Sequence, residues 1–406
     1  MSDAMVFASA VSTATTVESA VSELFSQVSL DLEGRPVDLA LVFYSPHHEA
    51  ATRRLSGLLR ETIEPRLLVG AMGNGVIGRG REVEGGPAVT LLAGHLPDVS
   101  LLPVHLHPAD WEKLLDDDDA FAGQFVTCDK PRLILLLADP FSTPIDPLLE
   151  SFNALFPGVP MIGGLASGAG RPHAKSLLLG DQVLAGGALA VAFEGPLEVD
   201  VVVSQGCRPV GEPFTVTQSR DNVIVSLEGK PPLVRIQDLI SGLSMEDRAI
   251  LENGLFVGRA VSPLRDQLGR GSFLIRGVTG ADQRSGAIAI GDLIEPGETI
   301  QFHLRDAETA REDLEMMLSP QALFNMPRGG LLFSCNGRGT HLYDHPDGDI
   351  GTLHKVVGDI HLAGLFCAGE VGPVGAQNYL HGHTASMVFF RPGKGSEKQA
   401  SQSASE

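Results

Sequence analysis

Residues 133–168 read LILLLADPFSTPIDPLLESFNALFPGVPMIGGLASG. A run of apolar residues (133–138) is broken by Asp139-Pro140. A helical stretch follows, with Asp146 as the expected N-cap and Pro147 at its first position. A second apolar run (159–162) then ends in the Gly-rich loop GGLASG, 163–168. Short apolar runs joined by a helix predict strands covered on at least one face by helices. The pattern occurs twice more. One copy runs from LALVFY (39–44) through a helix over about 48–63 to GAMGNG (70–75). The other runs from residues 330–333 through SCNGRG (334–339) and a helix near 349–357 to CAGEVGPVG, 367–375. Each Gly-rich loop falls at the C-terminal end of a strand, the edge of an α/β sheet where ligands bind.

Around these copies the N-terminus predicts one amphipathic helix. It is opened by the capping pattern Thr15-Thr16-Val17-Glu18, carries Val17, Val21, Leu24, Phe25 and Val28 on one stripe, and is stopped by Gly34 and Pro36. Residues 188–193 and 199–203 flank Glu194-Gly195-Pro196 and predict a hairpin. Residues 272–278, 287–290 and 299–304 predict a meander. The expected fold is therefore α/β with mixed α+β character: two pseudo-repeated lobes of mixed sheets covered by helices, with a boundary near Pro231-Pro232. The expected segments are a lead-in (1–37), an N-terminal domain (38–231), a C-terminal domain (232–391) and a disordered tail, 392–406.

Composition narrows the function. The chain has 406 residues, enough for more than one core, and 47 Gly and 26 Pro that mark many tight turns. Its net charge of −20 repels nucleic acid and anionic lipid, and no apolar stretch is long enough to span a bilayer. The acidic run 116–119 reads as a solvated loop. Four cysteines (Cys128, Cys207, Cys335, Cys367) without CxxC spacing fit a reduced, cytoplasmic compartment. The HxH pairs His105/His107 and His381/His383 lack any further metal-ligand spacing, so neither metal nor cofactor is expected. The GxGxxG at 73–78 is followed by Gly and Pro rather than a helix, which argues against a dinucleotide site.

Two sets of residues carry candidate chemistry. Arg338 offers a fork for a carboxylate, Glu370 a partner for an ammonium, and Asn378 both a donor and an acceptor, a set suited to a zwitterion such as an amino acid. Cys335 and Asn336 in SCNGRG, His381 and His383, and Gly163 and Gly164 complete the expected ligand site. Alternatively, Cys335 is a nucleophile acting on a small carbonyl substrate, with His341, His381 or His383 as base and Glu370 as orienter. A third reading is a scaffold that binds no ligand.

The motifs Arg305-Asp306-Ala307, SCNGRG, GLFCAGEVGPVG (364–375) and LHGHTAS (380–386), with RPVGEPFTVT (208–217), resemble the FIST family of F-box and intracellular signal transduction proteins. Here the member stands alone, without an F-box. The resemblance implies an intracellular sensor of small ligands, amino acids among them, that reports through an unidentified output protein; it carries no catalytic residues and leaves the oligomeric state open. Two positions depart from the family pattern: Ala71-Met72 in the first Gly-rich loop, and His383 where an aromatic is expected.

Overall fold

The computed structural model describes residues 4–172, 174–252, 254–261, 268–269 and 271–393. The expected tail beyond 393 lies outside the described residues. The described residues form two compact units that interleave along the sequence: those within 4–203, 315–380 and 384–393 in the first, those within 204–314 and 381–383 in the second. Pro231 and Pro232 open the helix Pro232–Gly242 inside the second unit.

All three copies lie in the first unit, and each builds a six-stranded sheet of mixed direction. The first sheet runs, in spatial order, Val6–Ser12, Val89–His95, Leu39–Tyr44, Leu67–Met72, Leu177–Leu179 and Gln182–Leu184. The second runs Ser100–Leu106, Ala188–Glu194, Leu133–Ala138, Met161–Leu165, Glu370–Val374 and Gln377–His381. The third runs Leu197–Ser204, Ala385–Pro392, Gly329–Cys335, Leu362–Cys367, Gly75–Gly78 and Arg81–Glu84. In each sheet the third and fourth strands are the parallel pair of one copy, and an antiparallel strand flanks the pair on either side.

The last two strands of each sheet come from a different copy. The hairpin that follows the first copy's loop pairs with the third copy, the third copy's hairpin with the second, and the second copy's with the first. The exchange is cyclic, so each copy needs the other two to complete its sheet.

The three sheets share one core. Alternate residues on each strand point inward, so Leu41 and Phe43, Leu135 and Leu137, and Phe333 and Leu365 meet in a single cluster, with the Phe43 and Phe333 rings edge to face at 5.8 Å. The intervening residues face helices: Val42 and Tyr44 pack with Val21, Leu24, Leu55 and Leu59, and Ile134 and Leu136 with Leu148 and Phe152. The parallel pairs approach closely enough to require glycine at one equivalent position. A Cβ at Gly70, Gly163 or Gly364 would stand 2.2, 1.8 or 1.8 Å from the carbonyl oxygen of Val42, Leu136 or Leu332.

Local signals are met and missed for identifiable reasons. Thr16 caps the helix Val17–Leu32 and accepts the Ser19 amide, as the capping pattern predicts. The helix Ile145–Leu155 starts two residues early, with Pro144 as N-cap and Asp146 inside the first turn, where its charge suits the helix dipole. The expected hairpin about Glu194-Gly195-Pro196 does not form: Ala188–Glu194 is in the second sheet and Leu197–Ser204 in the third. Gly195, at φ 131°, redirects the chain between them. The expected meander is instead part of a closed barrel in the second unit, where Phe273–Ala281 and Ile288–Ile290 are neighbours but Thr299–Leu304 pairs with Arg208–Arg220 and Phe256–Ala260. Among the described residues, no helix is long and apolar enough to cross a membrane.

Candidate functional site

The three Gly-rich loops meet at one point of the first unit. The Asn74 amide donates to Ser167 Oγ at 2.8 Å, and that hydroxyl donates to the Phe366 carbonyl at 2.5 Å, linking one residue from each copy. Beside this junction opens a cleft of about 360 Å³ lined by Asn74, Gly75, Glu84, Gly85, Asn336, Thr340, His341 and Phe366. The exchanged hairpin of the first copy forms one wall and the SCNGRG loop of the third forms the other. The GxGxxG glycines thus build the strand Gly75–Gly78 rather than a helix start.

The cleft presents hydrogen-bond acceptors. The side-chain carbonyl oxygen of Asn336 is buried and accepts no hydrogen bond. Glu84 accepts the Thr340 amide on one carboxylate oxygen at 2.9 Å, and its other oxygen lies 3.9 Å from His341 Nδ1.

Behind the cleft is a buried charge cluster. Arg338 is fully buried and forks onto Asp349, Nε to Oδ2 at 2.8 Å and Nη2 to Oδ1 at 2.6 Å. Tyr343 Oη accepts from Arg338 at 2.7 Å and donates to Asp349 at 2.7 Å, and Ser334 Oγ donates to Asp349 at 2.8 Å. Burial pushes the Asp349 carboxyl up, but the Arg338 charge and these three donors outweigh it and hold the group below its ordinary range. Glu82, two residues from Glu84 on the same face of its strand, accepts the Ile350 amide at 2.8 Å with one oxygen. Its other oxygen is buried without a hydrogen-bond partner. Burial, then the nearby Asp349, Asp347 and Glu84 carboxylates, push its carboxyl up to about 8.

The residues expected at the site are distributed as follows. Asn336 lines the cleft; Cys335, half-buried, precedes it at the end of its strand, in register with the buried Cys367. The Arg338 fork is engaged by Asp349, so the loop is braced to the helix Gly348–Val356. Glu370 is buried opposite Gly164 in the second sheet, and one of its oxygens accepts the Thr384 amide at 3.2 Å. Gly163 and Gly164 serve close packing: a Cβ on Gly164 would stand 2.4 Å from Cys367 Sγ. Asn378 staples its hairpin, accepting the Met161 amide and donating to Asn153 and the Val159 carbonyl, all within 2.9 Å. His381 and His383 belong to the second unit; His383 takes φ 64° and sets its ring edge-on to Phe256 at 4.8 Å. His105 and His107 each bond backbone groups, and no cluster of three metal-ligating side chains occurs among the described residues. Sequence reasoning missed Glu82, Glu84, Asp349 and Tyr343. The signal for the first two was their spacing in REVE (81–84), two carboxylates on one face of a short strand.

Interleaved copies of one strand–helix–strand unit, glycine loops gathered at a cleft and an inserted barrel define a two-unit α+β protein with a candidate ligand site. The FIST N domain matches residues 38–230 and the FIST C domain residues 233–373, so the chain belongs to the FIST family. FIST domains are associated with signal transduction. The chain is similar to an uncharacterized protein of Mycobacterium tuberculosis, 37% identical over 382 residues, covering 94% of this chain and 98% of that relative. It is also similar to one of Mycobacterium bovis, 36% identical over 374 residues, covering 91% and 95%.

Proposed function

We propose that this protein is a cytoplasmic sensor that binds a small ammonium-bearing metabolite, of the amino-acid kind, in the cleft between the Gly-rich loops, and reports to an output protein. The observation that carries the reading is the Asn336 carbonyl oxygen, buried in the cleft wall without a hydrogen bond. A buried acceptor left unmade is costly, and a ligand donor would satisfy it. The Glu84 carboxylate across the cleft supplies the charge an ammonium needs. Glu84 thus takes the part assigned from sequence to Glu370, and the exposed Thr340 and His341 replace Arg338 as the groups available to a ligand carboxylate.

Thermal-shift and calorimetric titration with amino acids and their N-acetyl derivatives tests this reading. Free amines should bind and the acetylated forms should not. A ligand at 100 times its Kd should add about 2.7 kcal/mol of stability. Asn336→Leu and Glu84→Gln should each weaken binding by about tenfold or more. Stabilisation by acetylated and free forms alike, or by neither, would refute it.

A second reading keeps Cys335 as a nucleophile, because the Gly337 amide points at its sulfur at 3.4 Å and such a donor favours thiolate. It requires iodoacetamide to label Cys335 faster than Cys128, whose thiol burial pushes up to about 11. Equal labelling removes it.

A further inference from the structure

The strands Gly329–Cys335 and Leu362–Cys367 end together, and their last residues are partners in the parallel ladder: Cys335 lies opposite Cys367. The Asn336 amide donates to the Cys367 carbonyl at 2.9 Å, so the register holds to the strand ends. Partners in a ladder point to one face of the sheet. That face is the core, since Leu331, Phe333, Ala363, Leu365 and Cys367 all belong to one cluster. Neighbouring strands stand about 4.8 Å apart, within the Cα separation that a disulfide spans and near its short end. Cys128 and Cys207 pack in other clusters. The two thiols of the pair differ. Cys335 is half-buried beside the cleft, and the Gly337 amide points at its sulfur at 3.4 Å, which favours thiolate. Cys367 is fully buried; burial, then the nearby Glu370 carboxylate and Cys335 thiolate, push its thiol up.

We propose that Cys335 and Cys367 form a reversible disulfide in response to a peroxide, and that this bond resets the SCNGRG loop at the cleft. The bond does not depend on a ligand in the cleft. The Cys335 thiolate attacks one oxygen of hydrogen peroxide. The O–O bond breaks, the sulfur is oxidised to a sulfenic acid, and the departing hydroxide takes up the thiol's proton as water. The Cys367 sulfur then attacks the Cys335 sulfur. The S–O bond breaks, an S–S bond forms, and the Cys367 proton leaves with the displaced hydroxide as water. Two thiols and one hydrogen peroxide thus give one disulfide and two waters. Burial divides the roles: the thiol nearer solvent meets the oxidant, and the buried thiol in register with it resolves the sulfenic acid before a second peroxide arrives. A bridge at the short end of the permitted separation is strained and readily reduced, which suits a switch rather than a permanent link. It also draws the Cys335 sulfur from the Gly337 amide, in the loop that carries Asn336 into the cleft.

The experiment treats the reduced full chain with hydrogen peroxide, blocks the remaining thiols with N-ethylmaleimide and maps tryptic peptides without reduction. Cleavage after Arg338 and Lys355 puts the two cysteines in separate peptides. A linked pair, lighter than their sum by two hydrogen atoms, should appear and should vanish after dithiothreitol. Hydrogen exchange across residues 336–339 should change on oxidation and return on reduction. In Cys367→Ala the Cys335 sulfenic acid has no resolving thiol, so its dimedone adduct should exceed that of the wild type by about tenfold. Wild-type Cys335 carried to the sulfinic acid with no linked pair, a pair that includes Cys128 or Cys207 instead, or no reaction at any thiol would overturn the proposal, and none of these outcomes requires a variant to fold. Equal dimedone adducts in the two proteins would remove Cys367 as the resolving thiol. Unchanged exchange in the disulfide form would overturn the part assigned to the loop.

Discussion

The hairpins at residues 75–84 and 370–381 hold the same place in two sheets, each donated by one copy to another, yet they are seated differently. The second is locked. Asn378, 3% exposed, answers the Met161 amide, the Val159 carbonyl and Asn153, so its polar groups close the seam against the neighbouring copy. The first is left open. The loop facing it offers the Asn336 carbonyl oxygen, and the hairpin itself offers a Glu82 oxygen, both buried and both without a hydrogen bond. One topology therefore yields a closed seam or a cleft, according to whether the polar groups at the seam find partners within the chain. Buried polar groups are rarely left unmade where nothing else requires them, which is why the open seam is the candidate site.

The comparison can be broken most forcefully at Arg338. Arg338→Met strands the buried Asp349 with two hydroxyl donors and no cation, and unfolding should show a loss of about 3–5 kcal/mol. Adding Asp349→Leu should recover most of that loss, because the uncompensated charge goes with it. A loss below about 1 kcal/mol would mean that the loop facing the cleft is not held by this pair.

Glu82→Gln should work in the opposite sense. The folded-state pKa of about 8 lies above the ordinary 4.5, so between those values unfolding releases a proton and the wild type loses stability as pH rises. Above about pH 8 the loss is complete. Gln keeps the acceptor for the Ile350 amide without this liability. Denaturant titrations should show no gain for Glu82→Gln near pH 4.5 and a gain of roughly 2–4 kcal/mol at pH 8. A gain independent of pH would place the effect outside Glu82 titration.

The finest test sets the two asparagines side by side. Asn378→Leu should cost about 2 kcal/mol, since it leaves a buried amide and carbonyl unanswered. Asn336→Leu should change stability by no more than about 0.5 kcal/mol, because the carbonyl it removes accepts no hydrogen bond, yet it should abolish most ligand binding. Equal stability losses would erase the distinction between closed seam and open cleft.

Much of the fold was legible. The three strand–helix–strand copies, the Thr16 cap and the strands Leu39–Tyr44 and Leu133–Ala138 follow from apolar period and turn residues close in sequence. The strand Val6–Ser12 was not read, because its Ala and Ser residues carry a weak apolar signal although Phe7, Ala8 and Ala10 are buried. Of the residues lining the candidate cleft, the sequence singled out Asn336, His341 and the Gly-rich loop that ends in Asn74 and Gly75. Arg338 looked available because its partner lies eleven residues on, at the start of a helix. Gly163 and Gly164 looked like a ligand cradle because close approach to a neighbouring strand demands the same residue as close approach to a ligand.

The sequence by itself determined the repeated unit, the helices that cover it and membership of the FIST family, because these rest on patterns within about 40 residues and on motifs read in order. Only the tertiary structure decided which copy completes which sheet, that the barrel interrupts the first unit, and that Glu82 and Glu84 face the SCNGRG loop. Those outcomes depend on pairings between residues more than 100 positions apart, such as Leu177 with Ala71, Glu370 with Gly164, Ile77 with Gly364 or Thr340 with Glu84. Strand pairing uses backbone groups that every residue carries, so local sequence cannot specify the partner; burial of the common core selects it.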